Sequence, residues 1–99
     1  MTQDNFKKLT IIRNKIDAVD KELLGLLAQR QKLVAQVLPI KNEEGWPARI
    51  EERITAVIDG VAQQAEHSGV DPDLARTVWT AMIEWFVRHE EQVLGRTPD

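Results

Sequence analysis

Arg30 interrupts an apolar seam. Read in steps of four and three, residues 11–41 (IIRNKIDAVDKELLGLLAQRQKLVAQVLPIK) place Ile12, Ile16, Val19, Leu23 and Leu26 on one helical line, which Leu33, Val37 and Ile40 continue. The spacing is that of an apolar helix seam sustained over about four heptads. Arg30 occupies the one position between Leu26 and Leu33 where the pattern demands another apolar residue. A guanidinium left unpaired in a dry core costs several kcal/mol. Either the seam opens there into a polar cavity or a carboxylate meets the arginine. We read it as a cavity that holds an anion.

Other charged residues bear on that reading. Lys41 follows Arg30 by eleven residues, so on one helix the two point the same way about 16 Å apart. By itself a lysine near a helix end is ordinarily solvated and paired with the helix dipole. Arg53 sits beside Ile50, Ile54 and Val57 at the edge of an apolar stripe, where an arginine ordinarily snorkels to water. Arg13 lies one step off the seam, about 25 Å from Arg30 along a helix, too far to share a ligand within one chain. An antiparallel partner could bring its own Arg13 alongside; otherwise Arg13 is a surface residue. Glu90 replaces carbon on the line Ile83, Val87, Leu94. Apolar surroundings favour a neutral carboxyl group and nearby cations a charged one. A purely structural ion pair between Glu90 and Arg30 is the competing reading.

The elements that must position these side chains are helices. Residues 5–42 read as one helix, capped by Asp4 or Asn5. Such a helix is roughly 55 Å long, whereas a compact domain of this size has a radius of gyration near 13 Å. The helix overhangs its own domain and its seam needs a second chain, which predicts a homodimer with interlocked long helices. Pro39 conflicts with a helix interior: it kinks the helix before Lys41, or the helix ends there and restarts. Residues 42–47 form a turn, with Gly45 as a left-handed terminator and Pro47 barring continuation. A second helix over 48–66 carries Ile50, Ile54, Val57, Ile58 and Val61 on one stripe. Asp71-Pro72-Asp73 starts a third, over 72–94: a capping aspartate, proline at the first helical position, then negative charge in the first turn. Residues 96–99 read as a frayed tail. The expected fold class is all-α, three helices in a single domain over 1–99.

Composition narrows the function. The 99 residues are 42 % hydrophobic and 29 % charged, as in a helix-rich globule rather than a disordered tail. The net charge of −3 gives no sign of nucleic-acid binding. With no cysteine, thiol catalysis, disulfides and thiolate metal sites are excluded. Two histidines, His67 and His89, are too few and too badly spaced to hold a metal by themselves. The N-terminus lacks an apolar core for a signal peptide and no run approaches a membrane span, so a cytoplasmic protein is the default.

The stretch 12–41 resembles the first helix of the all-helical chorismate mutase family. That pattern is met by Arg13, Ile16-Asp17-Ala18-Val19-Asp20, Arg30 and Lys41, and the arginine after the first loop falls on Arg53. The resemblance continues through Gly69-Val70-Asp71 into Met82-Ile83-Glu84-Trp85-Phe86 and covers nearly the whole chain. It implies an intertwined dimer with two active sites, each taking Arg30, Lys41, Arg53 and Glu90 from one chain and Arg13 from the other. It implies no metal and no cofactor, because the rearrangement of chorismate to prephenate is pericyclic and the task is to hold the enolpyruvyl arm over the ring. By the same resemblance Arg13 and Arg30 clamp the two carboxylates. Lys41 and Glu90 hydrogen-bond the ether oxygen, and Arg53 lines the pocket near the ring.

The chain departs from the family pattern in three places. Glu90 stands where glutamine is common, and it donates only when protonated. Ile50 and Ile54 replace the carboxylates that hold the substrate's ring hydroxyl. Val87 lies where a small hydroxyl side chain is frequent. Apolar residues there resemble the isochorismate-pyruvate lyases, which share the fold and form salicylate and pyruvate. A mutase of an amino analogue, 4-amino-4-deoxychorismate, is a third expectation, and a non-enzymatic helical dimerisation module the last.

Overall fold

The computed structural model describes residues 2–95, which form three α-helices and no strand. These are α1 (Gln3–Glu44), α2 (Glu51–Ser68) and α3 (Pro72–Leu94). The tail expected at 96–99 lies outside the described residues. By its internal contacts the chain divides into two units, Met1–Val37 and Leu38–Asp99.

The first unit is the body of α1. The cap is Thr2, not Asp4 or Asn5: the Asn5 N–H donates to Thr2 Oγ1 at 3.1 Å. The helix starts two residues earlier than expected, which places Asp4 inside the first turn. There it complements the helix dipole and pairs with Lys8 at 3.2 Å. The seam residues Ile12, Ile16, Val19, Leu23, Leu26 and Leu33 are 52–61 % exposed, and Val37 is 40 % exposed. Among the described residues of α1 only Lys41 is buried.

Pro39 lies inside α1, and the helix neither stops nor restarts there. It ends at Gly45, whose φ of 72° is open to glycine without strain. The Gly45 N–H donates to the Asn42 carbonyl at 3.3 Å and the Trp46 N–H to the Lys41 carbonyl at 2.9 Å. That pair of bonds is the Schellman arrangement, which satisfies carbonyls the helix would leave orphaned.

The second unit is built on the packing of α2 against α3. Ala48, Ile83 and Val87 form its buried cluster, with Ile54, Val57, Ile58, Trp79 and Leu94 packed around them. Ala62, Ala65 and Ala75 are also buried, and small residues let helix backbones approach closely. α2 begins at Glu51 rather than near 48. Ile50 stays extended (φ −119°, ψ 99°), and its carbonyl accepts the N–H groups of Arg53 and Ile54, both at 3.1 Å. α3 has the bounds the sequence predicts: Asp71 Oδ1 accepts the Asp73 N–H at 2.8 Å, with Pro72 at the first helical position. No helix among the described residues is long and apolar enough to cross a membrane.

Candidate active site

The second unit holds a buried ion pair. Lys41, in the last turn of α1, places Nζ 3.1 Å from Oε1 of Glu90 on α3. The same ammonium donates to the Ala48 carbonyl at 2.8 Å. Both side chains are nearly withdrawn from water, with 10 % of Lys41 and 7 % of Glu90 exposed. The solvated lysine that a position near a helix end suggests is therefore not what the fold builds. Glu90 is buried, as its place on the line of Ile83, Val87 and Leu94 requires.

Three segments make this pair. The last turn of α1 supplies Lys41, and the cap at Gly45 turns the chain so that Ala48 can present its carbonyl. α3 then supplies Glu90 one turn beyond Val87 and Phe86, both buried. An ammonium near a helix C-terminus is also favoured by the dipole.

The remaining expected site residues are placed as follows. Val87 is 4 % exposed and belongs to the buried cluster with Ala48 and Ile83. Ile54 packs against that cluster and Ile50 is half-buried. Arg53 is exposed on the first turn of α2. Arg13 and Arg30 belong to the first unit, Arg13 exposed and Arg30 half-buried. Among the described residues no three histidine, aspartate or glutamate side chains gather as a metal site would require.

Sequence reasoning misses a second ion pair. The Arg49 guanidinium forks onto both carboxylate oxygens of Glu84, with Nη1 to Oε1 at 2.9 Å, and reaches Glu51 at 3.8 Å. The hydrogen bond from Arg49 holds the Glu84 carboxyl below its usual range, helped by the charges of Arg49 and Arg88 and opposed by burial. Arg49 is raised in turn, first by its bond to Glu84. The partners are 35 residues apart, so no local spacing could signal them.

Residues 12–91 match the family described as chorismate mutase type II. The chain belongs to that family. It is 44 % identical over 71 residues to a T-protein of Enterobacter agglomerans, covering 72 % of this chain and 19 % of that protein. It is 32 % identical over 91 residues to a chorismate mutase of Methanocaldococcus jannaschii, covering 92 % of each. A 4-amino-4-deoxychorismate mutase of Streptomyces venezuelae is 28 % identical over 96 residues, covering 97 % of this chain and 91 % of that protein. The chain thus spans under a fifth of the T-protein and nearly all of the two mutases.

Removing one partner of a buried pair strands the other. Lys41→Met is expected to destabilise the fold by about 3 kcal/mol, because Glu90 is left without its counter-ion. Lys41→Met combined with Glu90→Leu is expected to recover most of that loss. Urea denaturation of wild type and the two variants reads both. A single variant as stable as wild type would mean the pair is hydrated in solution.

Glu84 gives a pH signature. A carboxyl group whose folded pKa is depressed adds stability above its unfolded pKa, and the contribution fades as pH falls through the lower folded value. The stability gap between wild type and Glu84→Gln should hold steady from neutral pH to about 5 and close below about 4, the ordinary carboxylate range. A gap that persists unchanged at lower pH would show that ionisation of Glu84 contributes nothing.

Proposed function

We propose that this chain rearranges chorismate to prephenate in an intertwined homodimer with shared sites. The observation that carries the reading is the buried Lys41 ammonium, fixed by the Ala48 carbonyl and Glu90 in a member of the chorismate mutase type II family. A positive charge already desolvated and oriented needs no reorganisation when negative charge develops beside it. That is the condition for electrostatic stabilisation of a transition state.

The reaction breaks one C–O bond as one C–C bond forms, with no nucleophile. Two things lower its barrier: holding the enolpyruvyl arm over the ring, and donors at the ether oxygen, which gains negative charge as the C–O bond lengthens. Lys41 is the donor to that oxygen, and Glu90 shares it when protonated. Arg30 and the partner subunit's Arg13 clamp the carboxylates, since forked guanidinium pairing suits them better than a lysine. Arg53 lines the pocket near the ring. Ile50, Ile54 and Val87 give its apolar wall.

The dimer is supported by the exposed seam of α1. Each of its Leu, Ile and Val side chains gains about 1.5–3 kcal/mol on full burial, and a second copy of the same helix offers a self-complementary cover.

The Streptomyces venezuelae relative favours a second reading, a mutase of the 4-amino analogue. The same rearrangement would then run on a ring carrying an amine. The lyase reading, raised by Ile50 and Ile54, gains no support from the relatives compared.

The deciding assay offers the purified protein chorismate, isochorismate and 4-amino-4-deoxychorismate side by side. Prephenate should be the dominant product, and Lys41→Ala should lower kcat about 100-fold, the size of effect seen when one aimed donor is lost. Dominant turnover of the amino analogue would select the second reading. Dominant salicylate would keep the fold and replace the reaction.

Subunit mixing tests the shared site. Arg13→Ala and Arg30→Ala are each expected to be nearly inactive. Random exchange makes half of the dimers mixed, each with one intact site, so about a quarter of the wild-type rate should return. No recovery in dimers shown to have exchanged would place both arginines in one chain's site.

A further inference from the structure

Arg49 binds Glu84, and it belongs to the segment that shapes the Lys41–Glu90 pair. Residue 48 presents the carbonyl that receives Lys41 Nζ, and residue 49 carries the guanidinium that grips Glu84. Neighbouring residues of one segment thus meet neighbouring residues of α3: the Ala48 side chain lies in the buried cluster with Ile83, and Arg49 forks onto Glu84. Glu90 follows on the same helix.

Exposed ion pairs contribute little to stability as a rule. This one differs in form. It is bidentate, which fixes direction as well as distance, and the Arg49 side chain is only 26 % exposed. The segment it holds lies between the end of α1 and the start of α2, where Ile50 takes no side-chain cap.

We propose that Arg49 is a positioning residue: by gripping Glu84 it holds the Ala48 carbonyl where it fixes the Lys41 ammonium against Glu90. Its effect on catalysis rests on the mutase reading above; its effect on Lys41 does not.

The test uses Arg49→Ala and Glu84→Gln, which break the fork from opposite sides. Far-UV ellipticity establishes that each is folded. Lys41 is then acetylated with limiting N-hydroxysuccinimidyl acetate and quantified by mass spectrometry against Lys8, whose side chain is 68 % exposed. Both variants should label Lys41 about tenfold faster relative to Lys8. Their kcat on chorismate should fall about tenfold, with KM changed less than about twofold, as for a group misplaced in the transition state.

Unchanged labelling in a folded variant overturns the proposal whatever the activity. Faster labelling with an unchanged kcat overturns the positioning role in catalysis. If the wild type itself does not turn over chorismate, the mutase reading fails, and the labelling alone decides whether Arg49 positions Lys41.

Discussion

The second unit of this chain depends on keeping one ammonium and one carboxylate together out of water. At 3.1 Å, their attraction at an effective dielectric of about 20 is on the order of 5 kcal/mol. Withdrawing each ion from water costs several kcal/mol. The two sides nearly cancel, so the pair is viable only where a further hydrogen bond and a fixed geometry tip the balance. The Ala48 carbonyl gives that bond. The left-handed cap at Gly45 gives the path that brings residue 48 back to Lys41. The packing of Ala48 on Ile83 and Val87 excludes the water that would otherwise loosen it.

The body of α1 poses the opposite problem. Its long seam is exposed, and the one buried side chain of α1, Lys41, belongs to the second unit. Together the seam side chains represent on the order of 10 kcal/mol of unrealised apolar burial, comparable with the whole stability of an ordinary domain. A helix in that condition draws its stability from another surface rather than from propensity. The homodimer proposed here meets that demand. It would also bring a foreign Arg13 towards a site whose own Arg13 lies about 25 Å from Arg30 along the helix.

How much of this was legible in the sequence depends on the range of each interaction. Asp71-Pro72-Asp73 marks the start of α3 because capping is decided within three residues, and the structure agrees there. The burial of Glu90 was legible because helical spacing alone puts it on the line of Ile83 and Val87. The start of α1 at Thr2 is not legible, because several residues near the terminus can cap. The start of α2 is not legible either, because nothing local says that Ile50 stays extended. Least legible was the setting of Lys41. Its acceptor is a main-chain carbonyl, which no side-chain pattern encodes, and the Arg49–Glu84 fork beside it joins positions 35 residues apart.

Stability does not explain why the core of the second unit contains ions at all. A buried charged pair replaced by well-packed apolar residues of similar volume is commonly as stable or more so. Leu at 90 would continue the apolar line of Ile83 and Val87, and Met matches Lys41 in length. What the apolar pair would lack is a desolvated donor held ready in a fixed direction. Such a donor is of little use to a fold and of direct use to a reaction that develops negative charge on an oxygen without forming a covalent link to the protein. The structure accepts a nearly balanced ion pair at the place where an apolar contact was available. That choice is intelligible if Lys41 is there for the substrate's ether oxygen, with Glu90 and the Ala48 carbonyl as the groups that keep it aimed.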